Sequence, residues 1–96
     1  MQSKKPLKIL LVGVECAPYA NVGGIASVVA YLARELKSRG NEIAVFMPKF
    51  GSIDESVYKM ELVYEGLQVP TGDEHTEVLF CNVKKHKSLS GVTVYF

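Results

Sequence analysis

The sequence has 96 residues and a mass of 10.6 kDa, with 48% hydrophobic and 22% charged residues. This composition is typical of a folded chain with one modest core and argues against disorder. The 11 basic and 10 acidic residues give a net charge of +1, so no strong field favours nucleic acid or an anionic membrane as a partner. The length excludes a large two-domain enzyme lying wholly within these residues.

The two cysteines, Cys16 and Cys81, are too few for a disulfide scaffold, and their spacing matches no metal-binding motif. We expect both to be reduced, partly buried thiols. Reduced thiols favour a cytoplasmic location.

A first strand is predicted at Lys8–Val14, a continuous apolar run of the kind that is covered on both faces in a parallel sheet. The run is too short for the core of a signal peptide or for a membrane span. A second strand is predicted at Glu42–Met47, which follows the turn residue Gly40 and is closed by Pro48.

An amphipathic helix is predicted between these strands. Its apolar stripe has helical spacing and consists of Ile25, Val28, Val29, Leu32, Ala33 and Leu36. Strand, helix and strand form a βαβ unit over about residues 8–47, with parallel strands and a right-handed crossover.

A strand-rich extension is predicted over about residues 57–96. Its strands are expected at Met60–Val69, Thr76–Val83 and Val92–Phe96, as an antiparallel meander attached to the βαβ unit. Phe50–Ser56 is predicted as a loop, with a short turn started by Ser52 or Asp54. Because the last predicted strand is apolar and has no polar tail, we expect the chain to be a truncated piece of a longer protein.

The candidate site is the loop Glu15–Ser27, which follows the first strand. Ligands of open α/β sheets bind at the carboxyl ends of the strands. Gly23 and Gly24 allow close approach of a ligand to the backbone, and the start of the helix adds unpaired N–H groups. Together they predict a phosphate-sized anion site that needs no metal. The alternative is that the glycines serve only a tight turn and close packing, because neither the dinucleotide fingerprint nor a Walker loop is present.

The stretch from Lys8 to about Ile53 resembles the start of bacterial glycogen synthases and plant starch synthases. The matching strings are Glu15-Cys16-Ala17-Pro18-Tyr19, Gly23-Gly24-Ile25 with Val28, and Pro48-Lys49-Phe50-Gly51-Ser52-Ile53. The resemblance implies an α/β fold in which residues 1–96 are a partial, Rossmann-like N-terminal domain. The complete enzyme would be a two-domain retaining glycosyltransferase that requires a C-terminal domain absent from this sequence.

The function implied by the resemblance is extension of an α-1,4-glucan from a nucleotide-glucose donor, with ADP-glucose as the expected donor, without a metal or other cofactor. Under this interpretation, the residues that bind the donor phosphates or sugar are Asn21, Gly23 and Gly24. Glu15, Tyr19 and Ser27 are candidate sugar contacts. No catalytic residue is assigned, and the 96-residue piece is expected to be inactive alone.

Two positions depart from the family pattern. Asn21 stands where the family has Lys, and Ser27 stands where it has Asp. A neutral amide binds a pyrophosphate more weakly than an ammonium group does. Two alternatives therefore stay open: a related glycosyltransferase with a different donor or acceptor, and a non-catalytic α/β module that binds a glucan or a protein.

Several residues have simpler interpretations. Glu15 is as well suited to capping loop amides as to binding sugar, and Tyr31 is expected to pack along the helix flank.

His75 and His86 are expected to be exposed, without a catalytic role. A basic run is expected to lie on a solvated sheet edge; it consists of Lys84, Lys85 and Lys87. An unfinished sheet is also expected to self-associate.

Overall fold

The computed structural model describes residues 5–75 and 77–96 as one sheet with a single helix packed on it. The elements are β1 (Lys8–Val12), α1 (Ile25–Ser38), β2 (Glu42–Phe46), β3 (Glu61–Pro70), β4 (Val78–Lys87) and β5 (Thr93–Tyr95). In space the strands follow the order β1-β2-β5-β4-β3.

The predicted βαβ unit is confirmed. β1 and β2 are parallel neighbours, with Leu10 opposite Ala44, and α1 crosses between them. The antiparallel extension is also confirmed, since β3 pairs with β4 and β4 with β5. β5 is in addition a parallel neighbour of β2, with Val94 opposite Val45. The sheet is therefore mixed, and β5 joins its parallel and antiparallel halves.

Some predicted boundaries were wrong. β1 ends at Val12 rather than Val14, and β4 runs to Lys87 rather than Val83. β4 is longer because its last residues pair with β5, a contact between distant parts of the chain that the local pattern does not contain. The predicted start of this strand, Thr76, lies outside the described residues. The turn at Asp54 is confirmed, because its backbone oxygen accepts from Val57 at 3.1 Å.

The helix is rotated relative to the predicted apolar stripe. Val29 and Ala33 are buried, but Ile25, Val28 and Leu32 are 50%, 56% and 44% exposed. The buried face is instead centred on small side chains, namely Ala26, Val29 and Ala33. Alanines let a helix approach a sheet closely. Gly13 shows the same closeness, because a Cβ built there would lie 3.3 Å from the Val29 side chain.

The core lies between α1 and the sheet. It contains Ile43 and Val45 of β2, Val94 of β5 and the loop residues Cys16 and Tyr19, all of them buried. Hydrophobic burial on this one side therefore joins the helix, the parallel strands and the loop that follows β1.

The face of the β3–β4 hairpin that is turned away from α1 carries exposed apolar side chains. Directly opposed residues share a face of a sheet. Val69 pairs with Leu79 and Leu67 with Cys81, and all four side chains are exposed. An apolar strand face and a long edge strand of this kind favour association.

We expect the 96-residue chain to form dimers or larger species, which light scattering coupled to size exclusion measures directly. Val69→Lys should shift the population toward monomer by placing a charge on the apolar face. Gln68→Lys is the matched control, because Gln68 lies next to Val69 but on the other face of β3, opposite Phe80. A monomeric parent chain, or equal effects of the two substitutions, would contradict the expectation.

Candidate functional site

The candidate site is the segment that connects β1 to α1. After β1 ends, a tight turn forms in which the Ala20 amide donates to the Cys16 carbonyl at 3.1 Å. The Ala17 amide donates to the Ala26 carbonyl, also at 3.1 Å, which ties this turn to the first turn of α1. The segment then continues through exposed residues 21–24 into the helix.

Tyr19 attaches this segment to the hydrophobic core. Its side chain is only 6% exposed, and its hydroxyl lies 2.7 Å from Nδ1 of His86. The ring centroid lies 4.8 Å from that of Tyr58 and 5.1 Å from that of Phe96. The sugar contact predicted for Tyr19 stays a prediction. In the structure, its ring is packed against the protein.

Burial also raises the pKa values of two side chains in this segment, Tyr19 and Cys16. It raises the pKa of Tyr19 to about 12, with smaller contributions from Cys16 and Tyr58. Burial likewise raises the pKa of the Cys16 thiol, which therefore stays protonated at neutral pH and is a poor nucleophile. Cys16 is buried and free, as expected; Cys81 is free but exposed, so the expected partial burial is wrong for it.

His86 is not the exposed residue that the sequence suggested. It lies on β4 opposite Val94 and is partly buried on the side of the sheet that α1 covers. The expectation failed because β4 extends to Lys87 and lies inside the sheet. His75 is exposed near the tip of the hairpin, where its backbone amide donates to Asp73.

The basic run on β4 also does not blunt an edge, since β4 lies between β5 and β3. Lys84 Nζ lies 2.7 Å from Glu55, and Lys85 Nζ lies 3.8 Å from Glu61. The hydrogen bond from Lys84 is the main reason why the pKa of Glu55 is lowered. The Glu55 contact ties the loop after β2 to β4, and Tyr58 of the same loop packs on Tyr19.

Glu15 holds the exposed part of the segment. Its Oε2 accepts from the Val22 amide at 3.0 Å and its Oε1 from the Gly23 amide at 2.9 Å. Of the two interpretations of Glu15, capping of loop amides is what the structure contains. Gly23 is closely fitted to this carboxylate, because a Cβ there would lie 3.3 Å from Oε1.

Gly24 is different. It is the N-cap residue of α1, with φ −67° and ψ −23°, so its backbone conformation does not require glycine. Within residues 5–75 and 77–96, no atom other than those of Gly24 and its two chain neighbours lies within 4 Å of a Cβ built on it. The first turn of α1 contains no acidic residue, and no described side chain caps it. Its amides and helix dipole are therefore available to an anion.

The predicted site residues fall into two groups. Asn21, Gly23 and Gly24 are exposed on the segment held by Glu15. Tyr19 and Ser27 instead line a separate, mainly apolar cavity of about 560 Å³ between α1 and the turn after β4. Tyr31, expected on the helix flank, also lines this cavity and is largely exposed, with the Arg34 guanidinium 4.6 Å from its ring centroid.

Sequence reasoning missed the residues that support the segment, namely Tyr58, His86 and Phe96. Their aromatic character was the only available signal, because they lie far from Tyr19 in the chain.

The described residues contain no cluster of three or more His, Cys, Asp or Glu side chains suited to a metal ion. In the same part of the chain, no helix has the length and hydropathy needed to cross a membrane.

Comparison with known proteins gives one consistent family. A family profile described as the starch synthase catalytic domain matches residues 8–96. Glycogen synthase 1 of Geobacter metallireducens is 36% identical over 93 residues, which are 96% of this chain and 18% of that protein. Glycogen synthase of Anoxybacillus flavithermus is 34% identical over 91 residues, 94% of this chain and 18% of that protein.

A solved structure supports the fold. The catalytic domain of starch synthase IV from Arabidopsis thaliana, bound to ADP and acarbose, is similar with a TM-score of 0.82. The match has 20% sequence identity and covers 96% of this chain and 18% of that one. The chain thus spans about a fifth of the length of the proteins that it matches, and the expected α/β architecture is confirmed.

Tyr19→Phe should lower the free energy of unfolding by about 1 kcal/mol, because it removes the hydroxyl that bonds His86. The native pKa of Tyr19 is raised from 10.0 to about 12, so the native state holds the phenol proton more tightly than the unfolded state. The contribution of the protonated Tyr19 side chain to the free energy of unfolding is complete below pH 10 and is lost as the pH rises toward about 12. Tyr19→Phe should lack this alkaline loss.

Urea unfolding at fixed protein concentration, repeated from pH 8 to pH 12, measures both effects. Tyr31→Phe is the matched control, because Tyr31 is largely exposed. An equal loss in both variants, or no loss for Tyr19→Phe, would contradict the anchoring role.

Proposed function

Because this chain belongs to the starch synthase catalytic domain family, we propose that the protein carrying it is a retaining glucosyltransferase. It extends an α-1,4-glucan from a nucleotide-glucose donor, with ADP-glucose as the first candidate. The observation that carries the proposal is the profile match over residues 8–96. The relatives named glycogen synthase over 94–96% of the chain support it.

In this proposal, the exposed segment before α1 binds the donor phosphates. Gly24 supports this role, because neither its φ angle nor its surroundings require a glycine. A ligand that approaches the backbone closely would require one. The uncapped first turn of α1 supplies N–H groups and a favourable dipole for a pyrophosphate. Asn21 and Gly23 complete the proposed donor contacts.

The proposed acceptor is an α-glucan. The similar Arabidopsis domain is bound to ADP and acarbose, which supports a nucleotide and an oligosaccharide as ligands of this protein as well. Ser27 and Tyr19 line the same cavity and are the candidate sugar contacts on that side, while Glu15 is turned toward the loop amides.

Catalytic groups are expected from the rest of the protein, in cis, and the 96-residue chain should be inactive alone. A cytoplasmic location and independence of metal and cofactor are part of the same proposal.

A transfer assay on the full-length gene product tests the proposal. ADP-glucose, UDP-glucose and GDP-glucose are supplied separately with glycogen, and labelled glucose in the polymer is counted. Transfer from ADP-glucose is the expected result. Because Asn21 and Ser27 depart from the family pattern, a different preferred nucleotide would favour the related-glycosyltransferase alternative. Glycogen binding without transfer from any donor would contradict the enzyme and favour a binding module.

Gly24→Ala should raise the KM for the donor roughly tenfold, because the added Cβ would keep the phosphate from approaching the backbone and so cost one hydrogen bond to a charged group. The fold should be little affected, because the backbone angles suit alanine and the space is open. Gly51→Ala is the matched control, since a Cβ at Gly51 also meets open space and its φ is not positive. An unchanged donor KM for Gly24→Ala would exclude close approach of the phosphates to this glycine.

Asn21→Lys should lower the donor KM several-fold, because an ammonium group binds pyrophosphate more strongly than an amide does. Val22→Lys is the control for the added charge, since Val22 is the exposed neighbouring residue. The comparison is made by initial rates at saturating glycogen. A KM that is unchanged or higher for Asn21→Lys would mean that the phosphates do not contact position 21.

A further inference from the structure

The carboxylate of Glu15 divides the amides of the glycine segment into two sets. One oxygen accepts from Val22 and the other from Gly23, so the hydrogen bonds of both amides are already made inside the protein. The next amides along the chain belong to Gly24 and Ile25, at the start of α1, where no described side chain acts as a cap. An anion that reaches this segment therefore meets Gly24 and the helix start first.

Glu15 lies between two residues that are attached to the sheet and to the core. Two residues earlier, the Gly13 amide donates to the carbonyl of Phe46 on β2 at 3.1 Å. One residue later, the buried Cys16 belongs to the core and closes the turn with Ala20. The carboxylate thus connects an exposed run that contains two glycines to the sheet and the core.

Gly23 shows how closely this contact is fitted. A side chain at that position would begin 3.3 Å from the Glu15 carboxylate, whereas Gly24 faces open space. The two adjacent glycines therefore differ in their surroundings: Gly23 allows the carboxylate to approach, and Gly24 leaves room for the donor of the proposed function.

We infer that Glu15 is a positioning residue for the donor-phosphate site: it fixes Val22 and Gly23 so that the amides from Gly24 onward face the donor. This inference rests on the proposed function. It differs from a sugar contact, because Glu15 acts on the donor only through the backbone that it holds. It also differs from competition, in which the carboxylate would occupy the place of a phosphate and its removal would improve binding.

Glu15→Gln and Glu15→Ala in the full-length protein test the inference by steady-state kinetics with ADP-glucose. Glutamine keeps one acceptor oxygen and turns an NH₂ group toward the second amide, while alanine removes both acceptors. We expect the donor KM to rise several-fold for Gln and roughly tenfold or more for Ala, with kcat within about twofold. The KM for glycogen should be unchanged.

Glu65→Gln is the matched control, since Glu65 is an exposed carboxylate on β3. Backbone amide exchange should show faster exchange at Val22 and Gly23 in Glu15→Ala, with the strands unchanged. A lower donor KM would establish competition instead, and an unchanged donor KM or a loss confined to kcat would also overturn the inference.

Failure of the proposed function is a separate result. It is recognised when the unmodified protein transfers glucose from none of the donors. Calorimetric titration with ADP then decides the inference: weaker binding by Glu15→Ala than by the unmodified protein supports it, and equal or absent binding overturns it.

Discussion

The burial of Tyr19 is the contact on which the position of the glycine segment depends. The ring packs against Tyr58, His86 and Phe96, which come from the loop after β2, from β4 and from the end of β5. A single side chain from the β1–α1 connection thus joins the parallel and antiparallel parts of the sheet. The connection cannot move away from the sheet without exposing this ring and breaking the bond to His86.

A second attachment acts on the exposed side. Glu15 binds the Val22 and Gly23 amides, while Tyr19 holds the preceding turn against the core. Between them, the two contacts fix the entry to α1 without using the amides at its start. Preorganised N–H groups bind an anion without first having to be ordered, which is how a rigid loop contributes affinity. Ser27 lies on the cavity that Tyr19 also lines, and Gly24 is not part of that cavity.

The local part of this arrangement could be predicted from the sequence. The apolar run at β1, the helical period and the Gly40 turn define the βαβ unit, because each signal lies within a few residues. The orientation of α1 could not be predicted in the same way, since three small residues allow a close approach that the larger Ile25 and Leu32 do not. The Tyr19–His86 contact also could not be predicted from local sequence patterns, because the two residues are 67 positions apart in the chain. For Glu15 the sequence offered two roles, and the structure contains the capping of the Val22 and Gly23 amides.

The most direct test of the account is a crystal structure of the full-length protein with ADP. A phosphate oxygen should lie within hydrogen-bonding distance of the Gly24 or Ile25 amide, with the Glu15 carboxylate still bound to Val22 and Gly23. ADP bound with its phosphates away from this segment, or a Glu15 displaced by the phosphates, would contradict it.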